Sequence, residues 1–518
     1  MSAAPVEAPS RRPLGTRADA DVVVVGGGNA ALCAALSARE SGASVALIER
    51  APRHERGGNS WFSAGVFRAA YENVPELESV FGDLGDELRR RTDFGSYPKA
   101  EFHDDLMRVA ESRCDPELAR LLVEHSLESL RWIREHGVRF VPAYARQSFA
   151  VDGVQRFWGG LVLQTEGAGP GLVDALYRAA EEAGVEVRYE TAAVGLDLEA
   201  GQVRGVRCLR GGSFAHLRTH AVVLAAGGFE ANTEWRARYL GPGWELAKVR
   251  GTRFNTGDGI RIAIDIGAMP WGHWSGCHAV AWDWAAPPFG DFAVGDVHQK
   301  HSYQLGIIVN KDGKRFFDEG ADFRNYTYAR LGRLILCQPA QVAWQVFDGQ
   351  VLDLLRDEYR LPGASRVRAG TLSDLAAQMP GIDADRFLAE IQAFNHAVQP
   401  DRPFDPTIKD GRSTRGLDVA KSNWANPIEM PPFEAHQVTC GITFTFGGLR
   451  VDGRARVLDV GERPVQGLFG AGELVGGLFY FNYPGGSGLT AGAVFGRIAG
   501  REAAAFAAAS ARSRGIRK

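Results

Sequence analysis

The alternation of apolar and polar positions is most telling between Asp21 and Arg50. Val22 to Val25 is an unbroken apolar run, the pattern of a short strand buried on both faces. An Ala/Leu-rich stretch of helical character follows, Gly42 falls where a helix should stop, and Val45 to Ile48 repeats the short apolar run. Gly26, Gly28 and Ala31 occupy the intervening turn at G-x-G-x-x-A spacing, and Glu49 closes the second run. Gly26 permits the tight turn, and Gly28 lets backbone approach a pyrophosphate. The helix opening at Asn29 and Ala30 offers unpaired N–H donors and the positive end of its dipole. Glu49, with Arg50 beside it, is placed to accept the ribose hydroxyls of an adenosine. Strand, turn, helix, strand and acid in this order predict a dinucleotide site.

Downstream, Gly57 and Gly58 open a loop expected to fold back beside the nucleotide, with Gly58, Asn59 and Ser60 in contact. Residues 68–165 read as a largely helical insertion between the second and third strands, with amphipathic runs at Asp104 to Ser112 and Pro116 to His136. A helix over Leu172 to Ala183 leads to a strand, Val185 to Tyr189, that continues the parallel sheet. Leu196 to Arg207, broken at Gly201, and Leu217 to Leu224 read as antiparallel strands, with Ala193 a candidate cofactor contact just before them. The run AVVLAAGG (221–228) brings backbone against the cofactor a second time, at Ala226 and Gly227. NTGDG then begins a helix with Asp258 in its first turn. Residues 276–435, rich in aromatics, prolines and histidines, read as a capping domain. The nucleotide domain resumes near His436 with strands at Val457 to Asp459 and Gly467 to Phe469. GAGELVGG places Glu473 to bond ribityl or ribose hydroxyls. YPGGSGLT, with Gly488 and Leu489, leads into a long Ala/Gly helix ending near Ala509, whose N-terminus can stabilise negative charge on a reduced isoalloxazine. The expected fold is α/β: a Rossmann-type domain with a parallel sheet, in two parts (20–275 and 436–518), an inserted α+β cap (276–435), and a disordered tail (1–19).

Composition narrows the function. With 518 residues, 45% hydrophobic, 23% charged and net charge −3, the chain is an ordinary globular protein, and no basic run suggests nucleic acid. No apolar stretch is long enough to span a bilayer, and Arg11–Arg12 lack the hydrophobic region of an export signal. The six cysteines are scattered, without haem or cluster spacing, which points to a reducing, cytoplasmic setting and to an organic redox cofactor. No metal site is expected, since the pairs His273/His278 and His298/His301 lack carboxylates at matching spacing.

With these residues in hand, the chain resembles the flavoprotein family of fumarate reductases, succinate dehydrogenases and 3-ketosteroid Δ1-dehydrogenases. The matching blocks are VVVVGGGNAALCAA, GGNS, VVLAAGGF, NTGDGI, VNKDGKRFFDE, FTFGGLRVD, GLFGAGELVGG and NYPGGSGLTAG. Within it the chain looks most like the tricarballylate dehydrogenases, on GGGNAALCAALSARESGA, DEGADFRNYTYAR, GITFTFGG and GGLFYFNYPGGSGLTAGAVFGR. The resemblance implies FAD as cofactor, Arg324 as the proton-transferring arginine and His278 as a substrate-holding histidine. His273, His298 and His301 compete for that last role. Where the family carries a second histidine the chain has Phe444, and where it carries a second arginine it has Tyr483. These departures weigh against fumarate or succinate, and Tyr483 resembles the tyrosine that polarises a carbonyl in the ketosteroid enzymes. Asn59 stands where succinate dehydrogenases attach FAD through histidine, so noncovalent FAD is expected.

The implied chemistry is removal of two hydrogens from adjacent carbons: a proton to Arg324, and the other hydrogen with its electron pair to the flavin. The first reading is oxidation of tricarballylate to cis-aconitate, or of a close polycarboxylate, with Arg324, His278, His298 and Arg253 as the cations. The second is desaturation of a ketone, favoured by Tyr483 and Phe444. A fumarate-reductase-like reduction uses the same groups in reverse, and a non-redox isomerase or hydratase is a remote fourth. Electrons must leave to an external acceptor. The resemblance implies a membrane-bound electron-transfer protein, which would hold a cytoplasmic enzyme at the membrane periphery.

Overall fold

The computed structural model describes residues 18–515, with side chains through Arg512, so the tail expected over 1–19 lies outside the described residues up to Arg17. β1 (Ala20–Val25), α1 (Asn29–Glu40) and β2 (Val45–Ile48) form the predicted βαβ start. β1 lies inside an eight-stranded sheet, parallel to β2 on one side and to β3 (Ser213–Leu224) on the other. Glu186–Arg188 extends the parallel set beyond β2, and Pro464–Gly470 extends it beyond β3. Val22, Val23 and Val24 are fully buried, as an apolar run covered on both faces should be.

β3 departs from the antiparallel expectation in half its length. Ser213 to Arg218 pair antiparallel with Gln202–Arg210, while Thr219 to Leu224 run parallel to β1. One strand therefore serves two layers, and the half that enters the central sheet ends in its fully buried apolar run, Ala221 to Leu224. The 68–165 insertion carries its longest helix at Pro116–Glu135, where the Asp115 carboxylate accepts from the N–H of Glu117 and Leu118. It also contains short strands, such as Ser148–Val151 and Val154–Phe157, which the helical reading missed because two- to four-residue pairings leave no period to read.

The second sheet has six strands, dominated by β4 (Pro270–Asp283) paired antiparallel with β5 (Phe433–Leu449). Both strands run across the expected domain boundaries at 275/276 and 435/436. The terminal helix, α2 (Ser487–Gly515), continues past Ala509, with no glycine or proline between Ala509 and Gly515 to stop it. It lies on α1 along a stripe of glycines. A Cβ at Gly496 would stand 2.6 Å from the Ala30 carbonyl oxygen, and one at Gly500 would stand 2.1 Å from that of Ala34. This backbone-to-backbone approach fixes the N-terminus of α2 beside that of α1, and Asn29 Nδ2 donates to the Leu489 carbonyl at 2.8 Å.

Candidate active site

Two adjoining cavities lie where β1, β3, α1 and α2 converge on the second sheet. The first, about 280 Å³, is the trough the sequence predicts for a dinucleotide. Gly26, Gly28, Asn29, Ala30, Glu49, Arg50, Gly58, Asn59, Ser60, Ala193, Ala226, Gly227, Asp258 and Glu473 all line it. Its close quarters explain its glycines. Gly26 has φ of 116°, and a Cβ there would meet the Ala225 carbonyl oxygen at 2.3 Å. At Gly27, which the motif does not demand, a Cβ would crowd the Tyr177 hydroxyl and Glu49 Oε2, so a larger residue would have to displace both side-chain ends.

Two carboxyls lining the trough, Glu49 and Glu473, are held toward their neutral forms. Burial pushes Glu49 up to about 7, against the N–H of Ala51, which donates to its Oε1 at 2.7 Å. Asp258 is tied instead to Arg50 at 2.7 Å, at the half-exposed mouth. Deeper in, Asn59 spends its amide on protein: Nδ2 donates to Glu230 Oε1 and to the Thr443 carbonyl, both at 2.6 Å, and Oδ1 accepts from Thr252 N–H at 2.9 Å. Glu230, missed in the sequence although it directly follows the second glycine marker, is raised to about 7 by burial. Its neighbour Glu473 is raised further, by burial and by Glu230 itself.

The second cavity, about 210 Å³, shares Asn29, Ala30, Asn59, Ser60, Gly472 and Glu473 with the first, so the two form one continuous recess. Gly488 and Leu489 line it from the start of α2. One side is aromatic. His278, Phe444, Tyr328 and Tyr483 pack together, with ring centroids 4.9 Å apart for His278–Tyr328 and 5.2 Å for Phe444–Tyr483, and the two tyrosine hydroxyls share a hydrogen bond of 2.6 Å. Register shifts between His273 and Cys277 and between His278 and Ala279 turn this part of β4 toward the cavity, a use of bulges common beside functional sites. Burial, and then Arg250, hold His278 well below its ordinary value, so it is neutral, and neither of its ring nitrogens has a hydrogen-bond partner.

The other side is cationic. Arg146, Arg250, Arg324 and Arg356 line it with Gln147, Gln299 and His301; among the described residues its one carboxyl is Glu473. Arg324 opens the short turn before the helix Tyr328–Leu336, donates from Nη2 to the Arg146 carbonyl at 2.6 Å, and lies 5.1 Å over the Trp158 ring. Burial lowers it to about 10, the direction a proton-transferring arginine needs. Arg250 is neutralised by Asp296 through two bonds, 2.7 Å and 2.6 Å. Arg146, Arg250 and Arg356 carry no motif and were missed in the sequence.

Three histidine and arginine candidates do not reach the cavity. Gln299 and His301 face it, and by strand-like alternation His298 turns away to meet Trp282, with ring centroids 5.6 Å apart. His273 Nδ1 accepts from Phe481 N–H at 3.0 Å. Arg253 pairs with Glu55 at 2.7 Å and is more than half exposed.

A profile of the family described as FAD binding domain matches residues 21–489. This chain belongs to that family. It is an FAD-dependent oxidoreductase, and the trough fits the cofactor: glycine backbone beneath a helix N-terminus, and buried carboxyls with hydrogen-bonding capacity to spare. It is 29% identical to a probable fumarate reductase, Ifc3, of Shewanella frigidimarina, over 94% of this chain and 75% of that one. It is 30% identical to a 4-oxocyclohexanecarboxylate 2-dehydrogenase of Sinomonas cyclohexanicum, covering 95% and 94%. Among solved structures it matches the open conformation of a flavocytochrome c3 fumarate reductase with a TM-score of 0.69 at 26% identity, covering 94% and 78%. Among the described residues no helix is long and apolar enough to cross a membrane.

Proposed function

We propose that this enzyme desaturates a CH–CH bond next to a carboxylate in a polycarboxylate, with oxidation of tricarballylate to cis-aconitate the best-fitting reaction. The observation that carries this reading is the guanidinium wall. Arg250 is cancelled by Asp296, Arg146 and Arg356 share Glu358, and among the described residues no carboxylate lies within ion-pair distance of Arg324. Two positive charges therefore remain, buried, beside the neutral polar groups His278, His301 and Gln147, each of which keeps an unpartnered polar atom. Such a wall is costly to bury unless an anion completes it.

FAD, when bound, supplies the two-electron acceptor. The residues do the rest. The arginines orient the carboxylates, the aromatic side excludes water from the reacting carbons, and Arg324, once it has given up its own proton and is transiently neutral, takes the proton from the carbon next to a carboxylate. The second hydrogen leaves the neighbouring carbon with its electron pair, so the product is two hydrogens short of the substrate. Electrons then pass to an external acceptor, and the reverse direction uses the same groups. Because the Asn59 amide is committed to Glu230, Thr443 and Thr252, we infer noncovalent FAD. Flavin fluorescence is expected to leave the polypeptide on denaturing electrophoresis, and fluorescence staying with the band would refute that inference.

The Tyr328–Tyr483 hydroxyl pair supports a second reading, desaturation of a ketone, by offering a donor to a carbonyl. An anaerobic screen separates the two, following the flavin absorption band with tricarballylate, succinate and cyclic ketones. Bleaching by the acids supports the first reading, and bleaching by ketones alone moves the assignment to the second. Bound flavin that no candidate bleaches would favour a non-redox role.

A further inference from the structure

Arg356 occupies an unusual position for a structural ion pair. It lies between two short turns, Leu352–Leu354 and Asp357–Tyr359, and its backbone N–H donates to Ser302 Oγ at 3.2 Å. Its Nη2 reaches Glu358 Oε1 at only 3.3 Å. That same oxygen already receives Arg146 Nη1 at 3.0 Å and Gln299 Nε2 at 3.1 Å, while Lys300 Nζ donates to the Glu358 carbonyl at 2.9 Å. Oε1 of Glu358 is thus already engaged by Arg146 and Gln299 before Arg356 reaches it. Arg356 Nε is buried without a hydrogen-bond partner among the described residues, yet the residue lines the cavity. A desolvated guanidinium donor without an acceptor is destabilising, more so than an apolar side chain in its place.

On the polycarboxylate reading above, we propose that Arg356, braced by Glu358 and Arg146, is the receptor for a substrate carboxylate remote from the reacting carbons. It is a specificity-determining subsite, separate from Arg324. Three chain segments hold it: Arg146 in the insertion, Gln299 to Ser302, and Arg356 to Glu358 in the cap. The planar fork fits a carboxylate through two donors, and the partial cancellation by Glu358 leaves one positive charge to be matched. A substrate with a third carboxylate gains this contact, and one with two carboxylates gains it less completely. A cyclic ketone leaves the donor bare, so the subsite also discriminates against the second reading's substrates.

The test compares Arg356→Gln with the parent holoenzyme in anaerobic titrations with tricarballylate and with succinate, each read as flavin bleaching, with FAD content measured in parallel. The expected result is an apparent affinity for tricarballylate weaker by about 10²-fold, and a clearly smaller loss for succinate. Arg356→Lys, which keeps the charge and loses the fork, should fall between parent and Gln, and it carries the test if the Gln variant does not fold. Equal losses for both acids would make Arg356 a structural ion pair and overturn the subsite, as would no loss for either. A parent bleached by ketones and by neither acid would overturn the polycarboxylate reading together with the subsite.

Discussion

The trough and the cavity share a wall at Asn29, Asn59 and Glu473, yet they treat charge in opposite ways. In the trough, burial raises the lining carboxyl Glu49 to about 7, and likewise Glu230, which the wall residue Asn59 bonds from behind, so both hold their charge less firmly than ordinary carboxylates. In the cavity, burial lowers two of the cations, Arg324 to about 10 and Arg356 to about 9. Burial also opposes the charge on Glu358, but Arg356 and Arg146 overcome it and hold that carboxyl down at about 2. The difference teaches what each region is built to meet. The trough offers a diphosphate backbone N–H groups and a helix end, whereas the cavity retains side-chain charge, which on the proposed reading an anionic substrate would match.

The largest effect that would sharpen this contrast is at Arg324. Arg324→Ala should retain FAD yet lower the single-turnover rate of flavin reduction by ~10²–10⁴, and Arg324→Lys should restore little of it. Equal rates in mutant and parent at saturating substrate would dissolve the distinction. On the trough side, Glu49 gives two readouts. Glu49→Ala should weaken FAD binding by roughly 1.5–3 kcal/mol in a titration of the apoprotein. Glu49→Gln should change the pH dependence of apoprotein stability. A carboxyl raised from its ordinary 4.5 to about 7 contributes stability that is full below 4.5 and lost as pH rises through 7. The parent's melting temperature should therefore fall over this window by the equivalent of roughly 2–3 kcal/mol, and the Gln variant's should fall less. Parallel pH profiles for the two proteins would remove Glu49 from the argument.

A smaller effect tests how the two regions are joined. Gly500→Ala pushes a Cβ into the Ala34 carbonyl oxygen and must lift α2 from α1. A loss of about 1–3 kcal/mol in chemical denaturation is expected. Unchanged stability would mean the helices tolerate a wider separation. The smallest effects belong to Arg253→Gln and His298→Gln. Arg253 is an exposed partner of Glu55, and such pairs are worth about 0–1 kcal/mol. His298 lines neither cavity. Steady-state rates close to the parent's are expected for both, and a large loss in either would redraw the cavity's boundary.

The chain's legibility follows the same division. Gly26, Gly28 and Glu49 could be read because the trough is made largely by one contiguous βαβ unit, whose glycines are demanded by local backbone geometry. Ala226, Gly227 and Glu473 follow from the same rule at two later strand ends. Arg324, His278, Phe444 and Tyr483 were placed by resemblance, and the fold brings all four to one cavity. His298 was misjudged because alternation within residues 298–301 selects Gln299 and His301 instead, and a sequence of polar residues does not say which parity faces in.

By itself, the sequence determined the dinucleotide trough, the central parallel strands and the long glycine-striped terminal helix. Each of these is set by short-range demands: an apolar run, a positive φ, a close backbone approach. Tertiary structure alone decided that Arg146, Arg250 and Arg356, from three distant segments, would share a wall with Arg324. A solvated arginine and a buried one look the same in a sequence. Only packing that removes water, and supplies fewer carboxylates than guanidiniums, gathers four of them into one cavity wall with charge left over, the feature on which the proposed anionic substrate rests.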